Sequence, residues 1–335
     1  MTTPPDTPQP PERPPPLISI VAPAYNEASN IQAFYDRVSG VLNKMEADYE
    51  IVFVNDGSTD DTLERFLDLA GKDHRVRVVD LSRNFGKEIA RSAGIDAARG
   101  DAVVPIDVDL QDPPELIPDL VAKWREGYDV VYATRERREG ESWFKRLTAV
   151  GFYRLMEKLT PIGIPRDTGD FRLMSRPVVE ALQQIPERHR FMKGLFAWVG
   201  FKQTGVKYSR DPRLAGKTAW NYWKLWNFAL EGITSFSHIP LQLVSYFGFG
   251  VAVLAFLYSL VIVTRTLIQG GDVPGYPSLI TVILFLGGIQ LLSIGILGEY
   301  IGRIHDEVKR RPLYIVKEKY GFGASKTPPP GNDAQ

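Results

Sequence analysis

Five short runs, Leu17–Ala22, Tyr49–Val54, Val76–Leu81, Ala102–Ile106 and Asp129–Ala133, are nearly continuous in Val, Ile, Leu or Ala. Strands buried on both faces read this way, because neither side of the pleat meets water. Between them lie Glu27–Lys44, Asp60–Ala70, Lys87–Ala98 and Glu115–Glu126, which carry helical periodicity. The β-α-β alternation predicts an α/β domain with a mostly parallel sheet covered by helices.

Downstream the pattern changes. Ile239–Thr264 and Val273–Gly298 are uncharged and apolar, and each exceeds the roughly 20 residues needed to cross hydrocarbon as a helix. Gly and Pro in the connector QGGDVPGY suit a tight turn outside the bilayer. Arg303, Lys309, Arg310, Arg311, Lys317 and Lys319 follow, which places that end on the cytoplasmic side. Two crossings return the chain to its starting side, so the α/β domain is expected in the cytoplasm as well. Trp143–Leu159 mixes apolar and basic residues, and Trp220–Phe236 is rich in aromatics; both read either as interfacial helices or as ordinary domain helices. The expected divisions are a Pro-rich tail over 1–16, a catalytic domain over 17–219 with an interfacial helix near 143–159, an amphipathic helix over 220–238, two transmembrane helices within 239–301, and a basic cytoplasmic tail over 302–335.

Composition narrows this picture. The first sixteen of the 335 residues include eight prolines and no apolar segment of the secretory type, which predicts a tail without a core of its own. Forty acidic residues balance forty basic ones, so no global field points to nucleic acid. The chain has no cysteine, which excludes disulfides and cysteine-ligated zinc.

The candidate chemistry lies where the predicted strands end, since ligands of parallel sheets gather beyond the carboxyl ends. IDVDLQDPPE, Ile106–Glu115, carries Asp107, Asp109, Gln111 and Asp112 within six residues. Oxygen ligands at this density suit Mg²⁺ or Mn²⁺, bridging two phosphates and neutralising a departing diphosphate. The first strand ends in VAPAYNE, Val21–Glu27, and the second in VNDGSTDD, Val54–Asp61. Asp56 stands where a base or ribose is read, while Ser58 or Thr59 suits a helix cap.

The order P-A-Y-N-E, N-D-G-S-T-D and D-x-D-L-Q-D-P-P-E resembles the family 2 glycosyltransferases of the GT-A fold, a Rossmann-like α/β architecture. Within it the chain resembles the polyprenyl-phosphate glycosyltransferases, such as dolichol-phosphate mannose synthases and, more closely, bactoprenol glucosyltransferases. TGDFRL at Thr168–Leu173, RFMKGLFAW at Arg190–Trp198 and LGEYIGRIHDEVKRRP at Leu297–Pro312 add to the closer likeness. It spans about Leu17 to Tyr320. The resemblance implies that Pro23, Tyr25, Glu27 and Asp56 hold the nucleobase and ribose, and that Asp107, Asp109 and Gln111 hold the metal and diphosphate. It places Arg135 near the donor phosphates, Arg146, Arg172 and Arg213 near the acceptor phosphate, and Asp170 as a catalytic group beside the acceptor. It departs at one point: relatives carry a lysine three positions after the glycine of R-x-x-G, where this chain has Arg213, Gly216 and Ala219. Either Lys217 takes over the donor phosphates, or the site works without that cation.

The implied partners are a UDP-sugar, a polyprenyl phosphate and the lipid bilayer, with a homo-oligomer, a tetramer, as the assembly. The implied reaction is an inverting hexose transfer at the cytoplasmic membrane face, with glucose from UDP-glucose as the first choice. Mannose, an N-acetylhexosamine or an aminoarabinose remain open, as does a non-catalytic membrane scaffold. A processive synthase fits less well, because no Gln-x-x-Arg-Trp segment occurs.

Overall fold

The computed structural model describes residues 15–135, 168–185, 187, 192–208, 239–269 and 275–323. Strands β1 (Leu17–Ala24), β2 (Asp48–Asn55), β3 (Val76–Leu81), β4 (Ala102–Pro105) and β5 (Val130–Arg135) occupy the five apolar runs. Helices α1 (Ile31–Leu42), α2 (Thr62–Lys72), α3 (Lys87–Ala97) and α4 (Ile117–Arg125) connect them. A 3₁₀ turn at Pro114–Leu116 leads into α4. Then come β6 (Thr168–Ser175), α5 (Arg176–Gln183), α6 (Met192–Trp198), β7 (Gln203–Tyr208), α7 (Ile239–Gln269), α8 (Tyr276–Val308) and β8 (Val316–Tyr320).

The strands form one sheet in the order β7-β5-β6-β4-β1-β2-β3-β8. Its centre is parallel, with β1 between β2 and β4 and β2 beside β3. The flanks are mixed: β6 runs antiparallel between β4 and β5, and β8 antiparallel along β3. Alternate residues feed two cores. Ile20, Ile51 and Phe53 pack on one face with Phe34 of α1 and Phe66 of α2. Val21, Val52 and Val54 pack on the other with Ala90 and Ala93 of α3 and Phe196 of α6. Fully burying such side chains stabilises by about 1.5–3 kcal/mol each. Helix α3 lies unusually close: a Cβ on Gly94 would fall 2.3 Å from Val21 Cγ1.

The sheet is parallel at its centre as expected, and TGDFRLMS adds an antiparallel strand beside it. One expectation is corrected. Residues 302–335 are not merely a basic tail. Helix α8 continues to Val308, and β8 then joins the catalytic sheet beyond β3. Tyr314 donates to Asp96 at 2.8 Å, and Arg99 donates to the carbonyl of Phe322 at 2.8 Å. The amphipathic segments near 143–159 and 220–238 lie outside the described residues.

Helices α7 and α8 are long and apolar enough to cross a membrane, with mean hydropathy 2.0 over Val244–Ile262 and 2.1 over Thr281–Val308. Both overrun the expected apolar stretches. Beyond Gly298 the second helix turns polar, and Arg303 pairs with Glu299 one turn earlier at 3.1 Å.

A polar clasp joins α1, α2 and β3 on the side away from the strand ends that carry the candidate motifs. Asp73 accepts from Tyr35 at 2.8 Å and from Arg75 Nε at 3.0 Å. Burial alone would raise the Asp73 carboxyl, but the hydrogen bonds of Arg75 and Tyr35 outweigh it and hold it at about 2. The unfolded value is about 3.9. The clasp therefore stabilises fully above that value and is lost as pH falls through about 2. Asp73→Asn should lower the melting temperature at neutral pH, and the gap to the wild type should close under acid. Melts of the detergent-solubilised protein across acidic pH check this; a gap that does not narrow would contradict it.

Candidate active site

The loops beyond β1, β2, β3 and β4 meet in one open cleft of about 340 Å³. Pro23, Tyr25 and Glu27 line it from the first loop, Asp56 from the second, Asn84 and Lys87 from the third, and Asp107 and Asp109 from the fourth. Tyr25 stands 45% exposed at the rim, where an aromatic face is available to a planar base.

Side chains between the loops set their spacing. Asn26, in the left-handed region at φ 54°, donates its backbone N–H to Ser58 Oγ at 3.0 Å and accepts from Thr59 N at 2.8 Å. Glu27 N donates to Thr62 Oγ1 at 2.9 Å. Ser58 and Thr59 thus tie two loops together rather than capping a helix; Asp60 accepts from Thr62 N at 3.1 Å. Gly57, at φ 67°, lies so near the next loop that a Cβ there would fall 2.4 Å from the carbonyl carbon of Arg83.

Asp56 is buried, and its two oxygens accept from Phe85 N at 2.7 Å and Gly86 N at 3.0 Å. Burial pushes its carboxyl upward, against those two amides and Arg83, which favour the charged form. Asp56 therefore holds the β3–α3 loop in place as well as lining the cleft.

In the IDVDLQDPPE turn, Val108 and Leu110 point into the core while Asp107 and Asp109 reach the cleft. Asp109 Oδ1 accepts from Gln111 N at 3.2 Å, and Leu110 takes φ 55°. Gln111 and Asp112 are buried. Asp112 accepts from Tyr208 at 2.5 Å, and Gln111 is not among the lining side chains. Of the three expected metal ligands, the structure brings two carboxylates to the cleft and leaves Gln111 beneath the turn.

Among the described residues no three acidic or histidine side chains converge into a ready cage. Two carboxylates at a cleft mouth nevertheless fit Mg²⁺ or Mn²⁺, which keep several sites for water and substrate phosphate.

Helix α3 supplies what the sequence reading missed. Lys87 Nζ sits 2.5 Å from Asp107 Oδ2. Arg91, buried to 2% exposure, places Nη2 3.5 Å from Asp107 Oδ1 and Nη1 3.3 Å from Asp170 Oδ2 and 3.1 Å from Glu88. Burial disfavours its charge, but Glu88, Asp170 and Asp107 outweigh that and hold it more firmly protonated than a free guanidinium. Asp170 thereby joins Asp107, from which it is distant in sequence. Arg172, two positions along β6, is buried with its guanidinium 3.8 Å over the Phe196 ring. Burial pushes it down to about 10, with Asp170 opposing; it does not line the cleft. The signal available in advance was positional: Lys87 and Arg91 open the helix after β3, another strand end of the kind already singled out. Arg135 ends β5 with its side chain outside the described part, and Arg146, Arg213 and Lys217 lie outside the described residues.

The cleft is that of a transferase, as the matches to known proteins show. Residues 19–183 match the family Glycosyl transferase family 2, and residues 239–304 match the GtrB C-terminal hairpin. The chain belongs to glycosyltransferase family 2. It is 56% identical over 305 residues to an uncharacterized glycosyltransferase of Synechocystis, covering 91% of this chain and 96% of that one. It is 50% identical over 304 residues to an uncharacterized glycosyltransferase of Bacillus subtilis, covering 91% and 94%. It is 51% identical over 303 residues to the SfII prophage-derived bactoprenol glucosyl transferase of Shigella flexneri, covering 90% and 98%.

The Asp56 contacts carry a prediction. Asn at that position presents one oxygen and one NH₂ group, so one of the two loop amides faces a donor. Losing a hydrogen bond to a charged group costs about 1.5–3 kcal/mol. Asp56→Asn should therefore lower the melting temperature, as a thermal melt would show; an unchanged melting temperature would refute the loop-holding role.

Proposed function

We propose that the protein transfers glucose from UDP-glucose to a polyprenyl phosphate at the cytoplasmic face of the membrane, with inversion at the anomeric carbon. The observation that carries this reading is the half-identity to bactoprenol glucosyl transferase over 90% of the chain, hairpin included. A polyprenyl phosphate keeps its tail in the bilayer and its phosphate at the surface, so a surface cleft beside an apolar hairpin suits it.

Pro23, Tyr25 and Glu27 take the nucleoside end of the donor, and Asp56 keeps the loops around it in register. Lys87 offers a point charge to the diphosphate. Asp107 and Asp109 would hold Mg²⁺ or Mn²⁺, which when bound offsets the charge of the departing diphosphate. The acceptor is a phosphate monoester with a second pKa of about 6, so its oxygen is largely anionic at neutral pH and needs no strong base. Asp170 then orients the acceptor or the sugar, and catalysis rests on positioning and charge stabilisation. Arg135, Arg146, Arg213 and Lys217 remain the proposed further contacts to donor and acceptor phosphates.

We take both flanks of the hairpin to be cytoplasmic. The pairing of β8 with β3 supports this, since the chain leaving α8 rejoins the sheet that precedes α7. A tetramer is the assembly proposed on the resemblance alone, and light scattering of the solubilised protein tests it.

The decisive assay incubates purified protein with undecaprenyl phosphate and a panel of labelled nucleotide sugars. Label from UDP-glucose should enter the lipid fraction; label from another sugar alone would reassign the donor, and binding without turnover would favour a scaffold. Asp107→Asn and Asp109→Asn should each cut transfer by about 100-fold or more while the melting temperature holds. Full transfer by both variants in EDTA would refute the metal-holding role. A C-terminal tag cleaved by protease outside intact cells would refute the topology.

A further inference from the structure

We propose that Arg91 is a positioning residue that ties the donor-side carboxylate Asp107 to the acceptor-side carboxylate Asp170, so that events at one reach the other through a single buried guanidinium. The proposal rests on the transferase reading above for the names of the two sides. Its geometry stands independently. The two terminal nitrogens are divided between the sides: Nη2 faces Asp107 at 3.5 Å, and Nη1 faces Asp170 at 3.3 Å. Nη1 also meets Glu88, one turn earlier on the same helix, at 3.1 Å. A planar fork holds its two ends at a fixed separation, which a lysine ammonium does not.

The arginine has little freedom to move. It is 2% exposed, and α3 is pressed onto β1 and β2 at Gly94, where no side chain fits against Val21 and Val54. Charged groups from every neighbouring element face it: Glu88 and Lys87 on α3, Asp107 after β4, Asp170 and Arg172 on β6. A buried charge of this kind persists only when paired, and here the pairing crosses from one strand end to another. The guanidinium is therefore shared. Whatever withdraws Asp107 from it, such as a cation or Lys87, leaves more of it to Asp170, and the reverse holds for Asp170.

The alternative is that Arg91 only neutralises buried carboxylates for folding. Arg91→Lys separates the two, because it keeps the charge and loses the fork. With full-length protein in detergent, UDP-glucose and undecaprenyl phosphate, Arg91→Lys should lower kcat by about 10- to 100-fold, as small misplacements do, with donor KM within about threefold. In the double variant with Asp170→Asn, the losses should not multiply, since both changes break one linkage. Full kcat in Arg91→Lys, or losses that multiply, would overturn the proposal. A second measurement leaves Arg91 intact and covers a variant that fails to fold. Asp170→Asn should weaken binding of UDP with Mn²⁺ by about threefold or more, within the usual range of site-to-site coupling, because Arg91 then falls wholly to Asp107 and Glu88. Unchanged UDP affinity would overturn it. A wild type that binds UDP but never glucosylates lipid would sink the functional reading instead, and the titration would still report on the linkage.

Discussion

The central strands of this protein are apolar on both faces, and that constraint governs where its chemistry sits. Val21 packs toward α3 while Ile20 packs toward α1 and α2, and the buried polar exceptions near the strand starts, Ser19 and Glu50, pair with each other. The polar side chains that line the cleft lie beyond the strand ends, and in a parallel sheet those ends lie along one edge. The cleft follows from this arrangement. Asp56, Asp107 and Lys87 come from separate loops yet share its walls. The loops are then fixed by one another: Ser58 and Thr59 hold Asn26, and Asp56 holds Phe85 and Gly86.

Charge is balanced locally at the edge. Glu88, Asp107 and Asp170 crowd one region, and Lys87, Arg91 and Arg172 face them. Buried Arg91 sits at the centre, and its burial makes each pairing stronger than the same contact in water. Lys87 is half exposed and reaches Asp107 from the solvent side. A site arranged this way holds its carboxylates between two different cations, Lys87 at the surface and Arg91 buried.

Much of this was legible in the chain itself. The near-continuous apolar runs located β1 to β5 and the helices between them to within a few residues, because strands buried on both faces leave an unmistakable pattern. Strands β6 and β8 were not legible as strands. β6 carries Asp170 and Arg172 on the face that meets α3, and β8 reads as VKEKY, largely charged because it lies at the sheet edge. Ser58 and Thr59 looked like caps because sequence shows local neighbours and not the loop across the cleft. Gln111 shares its motif with Asp107 and Asp109 but is buried under the turn. Arg91 was missed for the opposite reason: an arginine on an amphipathic helix normally faces water, whereas this one lies buried on a helix that approaches the sheet closely at Gly94.

The hairpin and the sheet are joined by the chain after α8, whose strand β8 lies along β3. That return ties the apolar helices to the cleft-bearing sheet, which suits the proposed acceptor, a lipid phosphate. The proposed reaction is a single direct displacement in which the acceptor phosphate attacks the sugar as the diphosphate leaves, with no protein-bound sugar between. The anomeric configuration of the lipid product, read by proton and phosphorus NMR from α-linked UDP-glucose, tests this most directly. A β-linked glucosyl phosphate is the predicted result; an α-linked product would contradict it.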